Sequence, residues 1–251
     1  MRYSIRTIKF FATAILICGT LFHSVAQEDV ASIIRRVEAN QVSDTGKMEA
    51  TLEVSTRFGV TKSTFLSYSR KGGDALIEVT TGPDRGQKIL RQENNIYLYY
   101  PDAEEVIWLK GSALKDSMMG SDFSYEDLTN DKTILDRYNA ELIGNEAIDG
   151  TDCYHIILTA KTRNETYAKE EIWVDTSRFV TRRALLYSAA GKAIREMTTN
   201  DVRAVSGRQI AFSTVMKDLL KKNTSTTMTI SNAEFDLPLS EKYFNREELS
   251  W

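Results

Sequence analysis

Hydrophobic residues along this chain follow three successive rhythms. A mostly apolar run spans residues 10–22, a single stretch at helical spacing follows, and alternation of apolar and polar positions then continues almost to the end. Over residues 29–42, Val30, Ile33, Ile34, Val37 and Gln41 keep the helical period with Arg35, Arg36 and Glu38 opposite, which predicts an amphipathic helix ending near Ser43-Asp44-Thr45-Gly46. From Lys47 the period becomes two. Met48, Ala50, Leu52, Val54 and Phe58 alternate with charged or hydroxyl residues, as in a strand with one buried and one wet face.

Further strands are predicted over 61–70, 76–81, 87–92, 96–100, 106–109, 133–143, 153–161, 168–174, 179–188, 192–204, 209–218 and 224–235. Turn signals such as Lys71-Gly-Gly-Asp74 and Gly82-Pro-Asp-Arg-Gly86 recur about every 8–12 residues, the spacing of successive antiparallel hairpins. A weak helix is expected over 110–117, and a short one near the end that docks through Phe244 and Leu249. The fold class is therefore mainly β (α+β). A sheet of about a dozen strands curls toward a barrel rather than staying flat, and the few helices fit its concave mouth. Whether that interior is packed solid or encloses an apolar cavity does not follow from the pattern. Close packing alone favours the solid core.

Arg2, Arg6 and Lys9 precede the apolar run, and Ser24-Val25-Ala26 places small residues where a signal peptidase reads. Residues 1–26 are expected to be a cleaved signal peptide, and residues 27–251 a single soluble, exported domain. Ile17 stands where a lipid-modified Cys18 would need a small residue. Without the leader, 29 basic residues face 35 acidic ones, a net charge of −6 that argues against a nucleic-acid partner. Cys153 and His155 are then alone in their kinds, so no internal disulfide is possible and stability must come from a core.

The same counts limit the chemistry. One histidine permits neither a multi-histidine metal site nor a His-Glu-x-x-His motif, and no Gly-x-Ser-x-Gly elbow is present. His155 lies mid-strand and is read as a cross-strand partner, Cys153 as a buried small residue, and Gly82–Lys88 as a turn rather than a phosphate loop. No cofactor, no metal site and no catalytic constellation is expected. The carboxylates Asp122, Glu126 and Asp127 are the remaining candidates for hydrolysis.

Those acids sit in the stretch Met119-Gly-Ser-Asp-Phe-Ser-Tyr-Glu-Asp-Leu128. Gly120 offers turn chemistry, Asp122 a helix cap, and Phe123, Tyr125 and Leu128 anchors onto an apolar surface. Locally this is either an ordinary connection with pinned aromatics or a lid. In the lid reading Phe123 and Tyr125 pack toward the mouth and Asp122 caps the following turn.

Three blocks, Leu76-Ile-Glu-Val-Thr-Thr-Gly-Pro-Asp-Arg-Gly86, Ile96-Tyr-Leu-Tyr-Tyr-Pro101 and Met118-Met-Gly-Ser-Asp-Phe-Ser-Tyr-Glu-Asp-Leu128, resemble the bacterial outer-membrane lipoprotein-sorting family related to the periplasmic carrier LolA. Glu171-Ile-Trp-Val-Asp175 with Tyr187 and Gly191 resembles a hairpin of the wider LolA/LolB superfamily. The resemblance implies a strongly curved, incomplete antiparallel β-barrel, its concave face covered by helices over a cavity that holds acyl chains. It also implies a lid at Met119, Gly120, Asp122, Phe123, Tyr125 and Leu128. Candidate lining positions are Leu52, Val54, Leu66, Tyr68, Ile77, Val79, Leu98, Tyr100, Ile107 and Trp173, with the parity of each strand open to a one-residue slip. Arg57, Arg70 and Arg91 are candidates for the arginine that latches the lid in LolA.

The expected function is that of a monomeric periplasmic carrier which takes up acyl chains of lipoproteins or lipids and delivers them toward the outer membrane. Its partners would be an inner-membrane transporter and an outer-membrane acceptor. The alternatives are an accessory or regulatory periplasmic protein that senses lipids or partners a membrane exporter, and a hydrolase using the lid carboxylates.

Overall fold

The computed structural model describes residues 29–92, 95–129 and 133–250; the leader proposed for residues 1–26 lies outside them. A helix α1 (Val30–Ala39) precedes six strands: β1 (Thr45–Thr56), β2 (Gly59–Arg70), β3 (Ala75–Thr81), β4 (Lys88–Gln92), β5 (Asn95–Tyr100) and β6 (Glu105–Leu109). A connection carrying short helices α2 (Tyr125–Thr129) and α3 (Ile134–Arg137) leads to seven more. These are β7 (Tyr138–Ile148), β8 (Thr151–Ala160), β9 (Lys169–Asp175), β10 (Thr181–Tyr187), β11 (Ala193–Val205), β12 (Arg208–Asp218) and β13 (Ser225–Phe235).

All thirteen strands form one antiparallel sheet in the order β6-β5-β4-β3-β2-β1-β13-β12-β11-β10-β9-β8-β7. Each half is a succession of hairpins, and the halves join where β1 pairs with β13, for example Leu52 opposite Met228. The sheet is curved and not closed. Leu98 of β5 and Ile156 of β8 belong to one buried cluster, although ten strand spacings would separate them by roughly 50 Å in a flat sheet. Curvature brings them together, and the face they share is the concave one. Ile33, Ile34 and Val37 of α1 fill part of it, as the helical spacing predicts.

The convex face carries a second, smaller cluster. Tyr68, Leu76, Leu90, Tyr97 and Tyr99 are covered there by Phe244 and Leu249 of the C-terminal tail, and Tyr68 stacks on Tyr243 with ring centroids 4.0 Å apart. Docking through Phe244 and Leu249 is as expected, but the tail forms two 3-10 turns, Glu241–Phe244 and Arg246–Glu248, rather than an α-helix. A second difference lies at β7. The expected strand over 133–143 begins with α3, capped by the Thr133 hydroxyl, and Ile143 is bulged between Leu142 and Gly144 in a strand that continues to Ile148. Among the described residues no helix is long and apolar enough to cross a membrane.

Asp175 closes the turn between β9 and β10. Its Oδ1 accepts from the Ser177 and Arg178 amides and the Ser177 hydroxyl, and its Oδ2 from Arg182 at 2.8 Å. Burial raises the pKa of this carboxyl, but those donors together outweigh it and hold the pKa at about 2. Because the folded-state value lies below the unfolded one, the stabilisation is complete above the ordinary aspartate range and is lost as pH falls toward 2. Replacing Asp175→Asn is expected to cost about 2 kcal/mol at neutral pH and to flatten the stability profile between pH 4 and 2, as read by urea unfolding.

Candidate functional site

The two ends of the strand order, β6 and β7, are consecutive in sequence. The connection between them must therefore pass from one free edge of the sheet to the other, and its described residues Met118, Phe123 and Tyr125 lie on the concave face. Its middle is a flap. Ser117 and Ser124 bridge, and the Met118 amide donates to the Phe123 carbonyl at 2.8 Å. The reversal is made by Met119 and Gly120, both in the left-handed region at φ 49° and 68°. A side chain is strained there, so glycine suits the second position. Phe123 and Tyr125 are buried in the concave cluster with Met118, and Met119 packs against it. Neither ring is in solvent, as the lid reading requires. The side chain of Leu128 lies outside the described residues.

Asp122 does not cap the helix. Ser124 does, accepting from the Asp127 amide at 3.1 Å while Asp127 Oδ2 accepts from the Ser124 amide at 2.8 Å. The Ser-x-x-Asp spacing of a capping box, legible in Ser124-Tyr-Glu-Asp127, names Ser124 over the neighbouring acid. Asp122 instead fastens the flap to the central strand β13. Its amide donates to Thr226 Oγ1 at 2.8 Å, the Thr226 hydroxyl lies 3.3 Å from Oδ2, and Lys221 Nζ is 3.8 Å away. Burial raises this carboxyl above the ordinary range, with Lys221 and Thr226 opposing.

Asp127 supplies a second fastening. Arg195 of β11 donates to its Oδ2 at 2.8 Å and to Tyr167 Oη at 2.7 Å, while the Tyr167 hydroxyl donates to Asp127 Oδ1 at 3.0 Å. Burial raises the Tyr167 hydroxyl well above its usual value, with the Asp127 charge adding to the shift, so it stays protonated and able to donate. Glu126 accepts from Thr166, and Lys115 donates to the carbonyls of Asn164 and Glu165. On the other side, burial raises the Tyr125 hydroxyl to about 12, with Tyr100 of β5 as its side-chain partner. The flap is thus held from β5 through β13 to β11, and Asp122, Glu126 and Asp127 are all engaged in holding it.

The arginine paired with the flap acid Asp127 is Arg195, which is not among the candidates Arg57, Arg70 and Arg91. Arg57 lies over Phe58 at an exposed turn, Arg70 pairs with Asp74 and Glu241, and Arg91 is buried on β4 in register with Ala75 and Ile96, on the same face as Ile89. Sequence reasoning passed over Arg195 because Ile194-Arg-Glu-Met-Thr-Thr199 shows no clean alternation, and Ile194 and Met197 both pack on the concave cluster.

The lining candidates divide between the two faces. Leu52, Ile77 and Leu98 lie in the concave cluster, and Val54 and Tyr100 pack against it. Val79, buried, pairs with the concave Phe65, and Ile107, opposite Leu98, has the same parity but is 40% exposed on edge strand β6. Leu66, Tyr68 and Trp173 are on the convex face. On β2 the inward parity belongs to Phe65, opposite Ala50, which sends Leu66 and Tyr68 to the convex cluster. On β9 it belongs to Ile172 and Val174. Trp173 stacks on His155 at 4.6 Å and donates to Glu146, while His155 Nε2 lies 3.0 Å from Glu171. Two apolar faces on one strand leave periodicity without a direction.

Replacing Arg195→Met leaves Asp127 and Tyr167 without their cation. The urea-unfolding free energy is expected to fall by about 2 kcal/mol, less than a fully buried pair would lose because both side chains retain some exposure. An Arg57→Met control should change it by less than about 0.5 kcal/mol.

Among solved structures, a DUF1329 family protein from Desulfovibrio piger superposes with a TM-score of 0.81 at 24% identity, covering 87% of this chain and 96% of its own. An outer membrane lipoprotein-sorting protein domain from Vibrio parahaemolyticus gives 0.79 at 18%, covering 88% and 97%. A LolA superfamily protein from Nitrosomonas europaea gives 0.73 at 20%, covering 88% and 99%. Comparison with curated proteins finds no match. A family model described as "Uncharacterized protein" matches residues 72–251. The chain belongs to the family that this model describes, and its fold is that of the LolA-like outer-membrane lipoprotein-sorting proteins.

Proposed function

We propose that residues 27–251 form one periplasmic carrier domain that binds acyl chains of lipids or lipoproteins on the concave face and carries them toward the outer membrane. The observation that carries this reading is how the flap is fastened. Its apolar residues Met118, Phe123 and Tyr125 fill the concave cluster, while its fixings, Asp122 to Thr226 and Asp127 to Arg195 and Tyr167, are polar side-chain contacts. Lifting the flap would uncover Leu52, Val54, Ile77, Val79, Leu98 and Tyr100 and leave the strand ladder intact. An acyl chain taking the place of the flap side chains would regain roughly 0.8 kcal/mol per buried CH₂, so uptake exchanges one apolar contact for another. The lipoprotein-sorting protein and LolA superfamily protein that share the fold are consistent with such cargo. None of the three flap acids is free for hydrolysis in this arrangement, which favours a carrier over an enzyme.

A disulfide across the fastening tests this. Asp122→Cys with Thr226→Cys replaces two side chains whose oxygens approach to 3.3 Å. The oxidised variant is expected to bind a fluorescent fatty acid at least about tenfold more weakly than its reduced form, a difference of about 1.4 kcal/mol. Native mass spectrometry of gently purified wild type should show bound lipid. Equal probe binding by both redox forms would refute entry beneath the flap.

A further inference from the structure

Among the described residues, four of the eight exposed large hydrophobic side chains lie together at one end of the sheet. Phe58 is 84% exposed and Val60 56% at the β1–β2 turn, and Leu219 and Leu220 are 43% and 57% exposed at the β12–β13 turn. The two turns are neighbours, because β1 pairs with β13 up to Ser55 opposite Ser225 and β13 pairs with β12 up to Thr226 opposite Met216. Packing within the chain does not call for four apolar side chains on adjacent hairpin tips, and exposed apolar surface of this kind marks an interaction site.

The surrounding charge identifies the kind of partner. Residues 53–62 and 217–224 carry five basic side chains, Arg57, Lys62, Lys217, Lys221 and Lys222, against two acidic ones, Glu53 and Asp218. This net +3 sits in a chain whose basic residues number 32 against 35 acidic. Arg57, Lys62, Lys217, Lys221 and Lys222 are all exposed. Apolar tips within a basic collar on an acidic protein match the interface of an anionic bilayer, where side chains enter the headgroup and acyl boundary and lysines meet phosphates. The arrangement also adjoins the flap, since Lys221 lies 3.8 Å from Asp122.

We infer that the β1–β2 and β12–β13 tips dock the protein on anionic phospholipid bilayers, with Phe58, Val60, Leu219 and Leu220 entering the interface and the collar binding headgroup phosphates. Docking at this end brings the flap to the membrane, and a phosphate that engages Lys221 draws it from Asp122. The surface is built independently of what the concave face holds.

Vesicle flotation tests this on the protein as the producing cell processes it, using phosphatidylcholine alone or with roughly one third phosphatidylglycerol. Wild type is expected to float with the anionic vesicles at low salt and to be released as salt rises. Phe58→Ser with Leu220→Ser should lower the bound fraction about tenfold or more. Arg57→Gln with Lys222→Gln should remove the preference for phosphatidylglycerol, while Val42→Ser, exposed at the opposite end, should change nothing. Thermal melts confirm that the variants fold, and each substituted side chain is exposed. Failure of wild type to float, or flotation that survives the Phe58/Leu220 double variant, overturns the proposal. Tip-dependent self-association without flotation overturns it in favour of a second copy of the chain. Fatty-acid probe binding in vesicle-free solution, unchanged in the Phe58/Leu220 variant, separates failure of docking from failure of the carrier reading.

Discussion

The constraint on which this structure depends is topological. Two runs of hairpins meet at the β1–β13 pairing in the middle of the sheet, so the strands that are consecutive at the centre of the sequence, β6 and β7, lie at its two free edges. The segment between them has to cross the full width of the curled sheet. An exposed crossing would leave a long apolar trough in water, so the segment buries its own aromatic residues in that trough and becomes the cover. The flap is thus a consequence of strand order.

What distinguishes the cover from an ordinary core element is the division of labour along it. α1 fastens itself through Asn40, which donates to the Arg178 and Phe179 carbonyls and accepts from the Gln209 amide, and it buries Ile33 and Ile34 completely. The flap instead relies on side-chain contacts to Thr226, Arg195 and Tyr167 and on a helix of five residues. A segment fixed by side-chain hydrogen bonds rather than by a strand ladder opens at lower free energy than the strands beneath it. Opening also exposes Arg195, Asp127 and Tyr167 together, groups that water solvates well.

Much of this architecture was legible in the sequence because it rests on period and turn chemistry. Alternation marked the strands, and the helical spacing of Val30, Ile33, Ile34 and Val37 gave α1 and its buried stripe. The site was legible where a residue's role is local: the burial of Phe123 and Tyr125 follows from aromatics beside a turn. It was not legible where facing decides. β2 and β9 bury side chains on both faces, so nothing in Phe65-Leu-Ser-Tyr68 or Ile172-Trp-Val174 says which way is in; the tail that covers Tyr68 is more than 170 residues away in sequence. Arg195 was hidden for the same reason, since its partners Asp127 and Tyr167 come from other parts of the chain. The cap at Ser124 was readable from its spacing, and Asp122 drew the assignment because its residue type also suits a cap.

The central claim is that the flap opens as a unit over an intact sheet and that apolar cargo enters beneath it. Hydrogen exchange resolved along the chain, with and without saturating long-chain fatty acid, measures this most directly. The account predicts that the amides of Met118 and Asp122 exchange orders of magnitude faster than those of β1 and β13, and that fatty acid changes flap exchange while leaving the tail over Tyr68 as it was. Flap amides that exchange only with the sheet, in one global unfolding event that fatty acid does not alter, would contradict it.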